Sequence, residues 1–263
     1  MKKKPFKKFQ GTGNDFVIID NRSLFFDKED INQIQFICSR KFGVGADGLI
    51  LIEDHQKLDF NMVFFNPDGS QSFCGNGSRC AVQFAYDLGI INKQTVFLST
   101  DGTHEASILE NNVVKLKMND VSNIEQNANF DFMNTGSPHY VAFTSNVVDL
   151  DILKKGSEIR YSDSYKSIGG TNVNFIEAEN DFYNVRTYER GVENETLSCG
   201  TGVTACALSI GIKYNLSESK IKIKTKGGNL TVDFKKDKKN NFTDIWLSGP
   251  ATFVFDGAIE LKY

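Results

Sequence analysis

An internal repeat constrains this chain more than any other feature. Phe60-Asn61-Met62 runs through Asn66 to Cys74-Gly75-Asn76-Gly77, and Tyr183-Asn184-Val185 runs through Glu189-Arg190 to Cys199-Gly200-Thr201-Gly202. The two cysteines lie 125 positions apart, as do Thr100 and Thr225, and Gly102 and Gly227. Both threonines close alternating runs, residues 94–100 and 220–225. Near the starts of the halves, Gly11-Thr12-Gly13-Asn14-Asp15-Phe16 finds an echo in Gly170-Thr171-Asn172-Val173-Asn174-Phe175. Four echoes in one order imply two copies of one domain. At 263 residues each copy is long enough to bury a core of its own.

The elements of a copy follow from periodicity. Residues 27–40 carry Ile31, Ile34 and Cys38 at helical spacing, start with acids and end on Arg40-Lys41 before Gly43. Residues 49–53 and 59–65 predict strands, with a turn at Asn66-Pro67-Asp68-Gly69. After Cys74 the spacing predicts a helix over 78–86 that stops near Gly89, and residues 203–212 take the same place in the second copy. That second helix is apolar on most faces, so it should be buried on most faces. Antiparallel strands wrapped around one central helix satisfy this in each copy, which makes an α+β fold. Polar residues cluster over 119–125, where the boundary is expected.

Several function classes drop out. Lys+Arg 30 against Asp+Glu 33 leaves a net charge of −3, which argues against a nucleic-acid partner. The basic start Met1-Lys2-Lys3-Lys4-Pro5 is not followed by the apolar core of a secretory signal. No apolar run approaches the roughly 18 residues of a membrane span, so a cytoplasmic protein is expected. Gly43-Val44-Gly45-Ala46-Asp47-Gly48 matches a dinucleotide fingerprint in letters, but a helix precedes it and a strand follows, the reverse of what that site requires. Turn glycines explain it. The five cysteines are an odd number, expected as free thiols rather than a disulfide framework. The pairs Cys74/Cys80 and Cys199/Cys206 would sit roughly 9–10 Å apart along their helices, too far to share one zinc. Histidines 55, 104 and 139 are scattered, so no metal is expected.

The strongest chemical signal is a cysteine followed by small residues and a helix, present twice. A thiol there faces free backbone N–H groups and the positive end of the helix dipole, which favour the thiolate and any bound carboxylate. Two such thiols on opposite faces of one carbon could invert it, one removing the Cα proton and the other supplying a new one, with the carbanion's charge held by the helix ends. Two turn cysteines left over from duplication are the plainer alternative.

At these residues the chain resembles the diaminopimelate epimerase family over nearly its whole length. The pieces are Gly11-Thr12-Gly13-Asn14-Asp15-Phe16, Asn66-Pro67-Asp68-Gly69, Cys74-Gly75-Asn76-Gly77-Ser78-Arg79-Cys80, Gly136-Ser137-Pro138-His139, Gly170-Thr171-Asn172, Tyr188-Glu189-Arg190-Gly191 and Cys199-Gly200-Thr201-Gly202. The resemblance implies conversion of LL-2,6-diaminopimelate to the meso form, in lysine and peptidoglycan precursor synthesis. It implies no cofactor, pyridoxal phosphate included, and commonly a homodimer. It implies two pseudo-symmetric domains, each a mostly antiparallel sheet curled into a barrel around a central helix: 1–119 with 252–263 returning, and 120–251. Carried across, Cys74 and Cys199 match the acid–base pair. Gly75, Asn76, Gly200 and Thr201 match the cradle of the reacting amino-acid end, and Asn14, Asn66, Asn172 and Arg190 match substrate ligands. His139 and Glu189 match neighbours that adjust the thiols, Glu189 also lying among the substrate contacts. Three departures stand out. Ser137 replaces a frequent asparagine, Gly48 replaces a glutamine of some members, and one extra residue lies between Glu189 and Cys199.

Rivals fit less well. A proline or hydroxyproline epimerase would share the thiols, but Asn76 and Tyr188-Glu189-Arg190 suit a substrate with a second polar end. A phenazine-type isomerase should lack the cysteine pair. A thiol hydrolase, with His139 as partner, would leave the second thiol without a use. A noncatalytic binding protein would leave both without one.

Overall fold

The computed structural model describes residues 3–260 and divides into two compact units, Met1–Leu116 with Gly249–Tyr263, and Lys117–Ser248. Part of the basic start (Met1, Lys2) and of the expected C-terminal return (261–263) lie outside the described residues.

The first unit runs β1 (Lys3–Gly11), β2 (Asn14–Asp20), α1 (Ile31–Cys38), β3 (Gly48–Glu53), β4 (Phe60–Phe65) and α2 (Gly75–Asp87). It continues with β5 (Gln94–Ser99), β6 (Gly102–Ile108) and β7 (Val113–Lys117). The second begins with β8 (Glu125–Gln126), β9 (Asp131–Asn134), β10 (Pro138–Phe143), α3 (Ile152–Arg160) and α4 (Asp163–Lys166). Next come β11 (Asn172–Glu179), β12 (Phe182–Glu189), β13 (Asn194–Thr196) and α5 (Gly200–Lys213). It closes with β14 (Glu218–Thr225), β15 (Gly228–Lys236) and β16 (Phe242–Pro250), after which β17 (Thr252–Glu260) belongs to the first unit. Both changes of unit fall inside strands, at the ends of β7 and β16, so no polar linker marks them.

Strand pairing is the same in both units. In the first, β17–β1 and β1–β2 are antiparallel, β2–β3 parallel, β3–β4 antiparallel, β4–β5 parallel, and β5–β6–β7 antiparallel. In the second, β8, β9, β10, β11, β12, β14, β15 and β16 repeat that order and those directions, with β13 added beside β12. The duplication is therefore topological as well as sequential. It also corrects one echo. Asn172 opens β11, whose counterpart is β3, whereas Asn14 follows the β1–β2 hairpin, whose counterpart is the β9–β10 turn. The match of 11–16 with 170–175 is a likeness of letters, not of position.

Each sheet wraps one helix. α2 packs against β1, β2, β3, β4 and β6, and α5 against β9, β10, β11, β12, β14 and β15. Residues of α2 from Gly75 to Ala85 are buried, as are Val203–Gly211 of α5. Side chains such as Val82, Phe84, Leu208 and Ile210 each remove apolar surface worth about 1.5–3 kcal/mol from water, which is what holds a glycine-rich helix start in place. Both central helices begin three residues earlier than periodicity indicates, at Gly75 and Gly200. Glycine and small residues carry no apolar signal, but a helix end that must present bare N–H groups tolerates them.

Candidate active site

In the first unit, Cys74 is the N-cap of α2, extended at φ −134°, ψ 108°, and the Gly77 N–H donates to its Sγ at 3.4 Å. Thr12 and Gly13, both at positive φ, form the two-residue turn between Gly11 and Asn14 and so deliver Asn14 to the helix end. Asn14 Oδ1 accepts from Asn76 Nδ2 at 3.3 Å and faces Cys74 Sγ at 3.7 Å. Asp47 decides which way that amide points. Its carboxylate accepts from Asn14 Nδ2 at 2.7 Å, which leaves only the carbonyl oxygen toward the thiol. Arg40 in turn spans Asp47 and Asp15 at 2.6 and 2.7 Å. Asn66 sits in the turn after β4, where its amide donates to Ser70 O, Ser70 Oγ and Ser72 Oγ at 3.1–3.2 Å.

In the second unit, Cys199 is the buried N-cap of α5, at φ −122°, ψ 113°. Its Sγ lies 3.5 Å from Thr201 Oγ1. Behind Thr201 runs a chain of bonds with a defined direction. Asn174 Nδ2 donates to Tyr140 O at 3.0 Å and to His139 Nδ1 at 3.1 Å, while its Oδ1 accepts from Thr187 Oγ1 at 2.9 Å. His139 therefore carries its proton on Nε2 and donates it to Thr201 Oγ1 at 2.9 Å. The Thr201 hydroxyl proton is then left for Cys199 Sγ. His139 is fully buried, and burial, helped by the Arg190 charge, holds its pKa down at about 3. The imidazole is neutral throughout the physiological range, and its tautomer is fixed. Gly202 is required by this packing, since a Cβ there would stand 2.5 Å from Asn174 Oδ1.

A second cluster lies beside this chain. The Arg190 N–H donates to Asn172 Oδ1 at 2.9 Å, Asn172 Nδ2 donates to Ser137 Oγ at 2.9 Å, and Arg190 Nη2 donates to the same Ser137 Oγ at 3.2 Å. Glu189 ends β12, partly buried, opposite Asn194 of β13. Among the described residues no group of His, Cys, Asp or Glu is placed to hold a metal ion. The remaining cysteines are free and buried. Burial pushes Cys38 and Cys80 up to about 12 and Cys206 well above its ordinary value, so they stay protonated.

Asp47, Asn174 and Thr187 were not singled out by sequence. Asn174 carried a signal, since it lies two positions after Asn172 on one face of a strand. Asp47 lay hidden inside the glycine motif.

A family model described as diaminopimelate epimerase matches residues 6–124 and 132–254. The chain is 48% identical to a diaminopimelate epimerase of Flavobacterium psychrophilum over 254 residues, covering 96% of this chain and 98% of that one. It is 40% identical to one of Aquifex aeolicus, covering 97% of each. The chain belongs to the diaminopimelate epimerase family.

It is accordingly an isomerase. Solved structures share its fold: a phenazine biosynthesis protein of the PhzF family from Bacillus anthracis (TM-score 0.79, 14% identity, 99% of this chain and 100% of that one) and a hydroxyproline epimerase from Agrobacterium vitis (TM-score 0.71, 12% identity, 98% and 92%). Two of this diaminopimelate epimerase relative's departures now have structural context. Gly48 opens β3, and a Cβ there would lie 2.2 Å from Phe64 Cε2, so the Phe64 ring fills the space a glutamine would need. Ser137 Oγ already receives two donors, which leaves its own hydroxyl proton to be given away. No helix among the described residues is long and apolar enough to cross a membrane.

Proposed function

We propose that the protein converts LL-2,6-diaminopimelate to meso-2,6-diaminopimelate, without a cofactor, using Cys74 and Cys199 as two acid–base groups. What carries this reading is that both thiols cap the central helices of a duplicated fold at matched positions. One thiolate takes the Cα proton, and the opposing thiol gives its proton to the other face. The electron pair left on Cα spreads into the α-carboxylate, which the N–H groups of Gly75, Asn76, Gly200 and Thr201 are suited to stabilise. Afterwards the first sulfur holds the proton and the second is the thiolate, so the enzyme is set for the reverse direction. Arg190, Asn172 and Asn66 hold the far amino-acid end, and Ser137 donates its free hydroxyl proton to the carboxylate there. His139, through Thr201, steadies Cys199, and Glu189 takes part beside it. The same reading makes the protein a cytoplasmic homodimer in lysine and peptidoglycan precursor synthesis.

The test is to follow LL-diaminopimelate, proline, hydroxyproline and glutamate with purified protein. Interconversion of LL- and meso-diaminopimelate alone is expected. Equal turnover of proline would overturn the substrate assignment while leaving the thiol chemistry in place.

A further inference from the structure

Arg79, the fifth residue of α2, is fully buried. Its Nη2 donates to Thr12 Oγ1 at 3.4 Å and its Nε to Pro250 O at 3.5 Å, both long, and its Nη1 has no partner. A guanidinium taken out of water without a counter-charge is costly to keep. The fold nevertheless shapes itself around it. A Cβ on Gly11 would come within 3.2 Å of Nη2, and Thr12, a β-branched residue, holds a left-handed φ of 51° while its hydroxyl receives the guanidinium.

The acidic groups within electrostatic reach of Arg79 are the thiols of Cys80 and Cys74. Cys80 is buried too deeply to ionise. Cys74 is only partly buried and lies about 7–8 Å back along the axis, at the end where N–H groups point. Neighbouring charges on the packed strands and loops are already matched, Lys8 with Asp15 and Arg40 with Asp15 and Asp47, and the His104 ring is hydrogen-bonded to Asp101 at 2.7 Å. Two features oppose ionisation of Cys74. Asp47 lies behind Asn14, and Asn14 Oδ1 favours the S–H form. The second is weak, because Asn14 Oδ1 keeps the Asn76 bond when the thiol loses its proton. The other copy has no such cation. Thr204 stands 125 positions on, its hydroxyl donating to Gly200 O at 3.0 Å.

We propose that Arg79 is a positioning residue that acts through Cys74, its buried charge serving as the counterion of the Cys74 thiolate. This rests on reading Cys74 as one of the two acid–base groups. The test reads ionisation, not turnover, so either idea can fail alone. In a Cys199→Ala background of the full chain, the rate of Cys74 alkylation by iodoacetamide is followed against pH and mapped by mass spectrometry. Arg79→Met is expected to raise the midpoint by about one pH unit, and so to slow alkylation about tenfold near pH 7. Arg79→Lys should stay close to the wild-type midpoint. A merely structural arginine would lower the melting temperature and leave the midpoint alone, and that result overturns the proposal. Should Arg79→Met not fold, Cys74→Asp is compared with Cys74→Asn, two caps of similar quality that differ in charge. The aspartate is expected to melt higher, by about 2–4 °C more than in the same pair at Cys199. An equal difference at the two helices overturns the proposal.

Discussion

The two thiol ends share a backbone and differ in everything behind it. At Cys74 the thiol faces an amide oxygen fixed by Asp47, with a buried cation one and a half turns into its helix. At Cys199 the helix carries no cation in its first turns, its one cation, Lys213, standing in the last turn. A neutral relay from Thr187 through Asn174, His139 and Thr201 ends instead on the sulfur. One fold thus surrounds its two helix-capping thiols differently, with a buried cation at a distance from one and a hydrogen bond at contact on the other. Under the proposed two-base reading the thiols need comparable acidity while remaining distinct, and different supporting residues on a repeated backbone are suited to both demands.

The largest effect should come from breaking either end outright. Cys74→Ala and Cys199→Ala are each expected to lower epimerisation by at least about 10³-fold, since a two-base inversion has no substitute for either partner. Near-normal turnover by one single mutant would mean that the two ends are not a pair. Next comes the proposed far-end clamp, whose one charged member, Arg190, belongs to the second unit together with Asn172 and Ser137. Arg190→Ala should cost about 1.5–3 kcal/mol, one to two orders of magnitude in kcat/KM, and Arg190→Lys should recover part of it. Intact kcat/KM in Arg190→Ala would remove Arg190 from the clamp.

Cutting the relay sharpens the comparison further. Thr201→Val removes the hydroxyl while keeping the shape, and is expected to raise the alkylation midpoint of Cys199 by about one pH unit while leaving that of Cys74 unchanged. Shifts of equal size at both thiols would show that the ends are not independently supported. The last effect concerns acid stability, not ionisation of a thiol or turnover. The folded His139 pKa of about 3 lies below the unfolded value of 6.5, so its contribution is complete above pH 6.5 and is lost as pH falls toward 3. Urea titrations should therefore show wild type losing stability faster than His139→Gln between pH 6.5 and 4. Parallel losses would mean that His139 is not buried neutral.

The thiol helix ends were legible because a cysteine followed by small residues has few other uses, and repetition removed chance. The Gly43–Gly48 segment was legible by context, since helix-then-strand order excludes a nucleotide. The parallel pairings β2–β3 and β4–β5 were not, because each depends on a crossover whose return point no local pattern encodes. Nor was Asp47's hold on Asn14, 33 residues away in sequence, or Asn174's hold on His139, 35 residues away. Arg79 was visible in the motif, but only burial distinguishes a stranded cation from an ordinary helix arginine.

The central claim is that two thiols, not one, handle the proton. LL-diaminopimelate incubated in D₂O and sampled at early turnover tests it directly. The account predicts meso product carrying deuterium at the inverted Cα, while recovered LL substrate still carries protium, because the sulfur that removes the proton is not the one that delivers its replacement. Deuterium entering recovered substrate as fast as product would contradict it, and would point to one group working both faces.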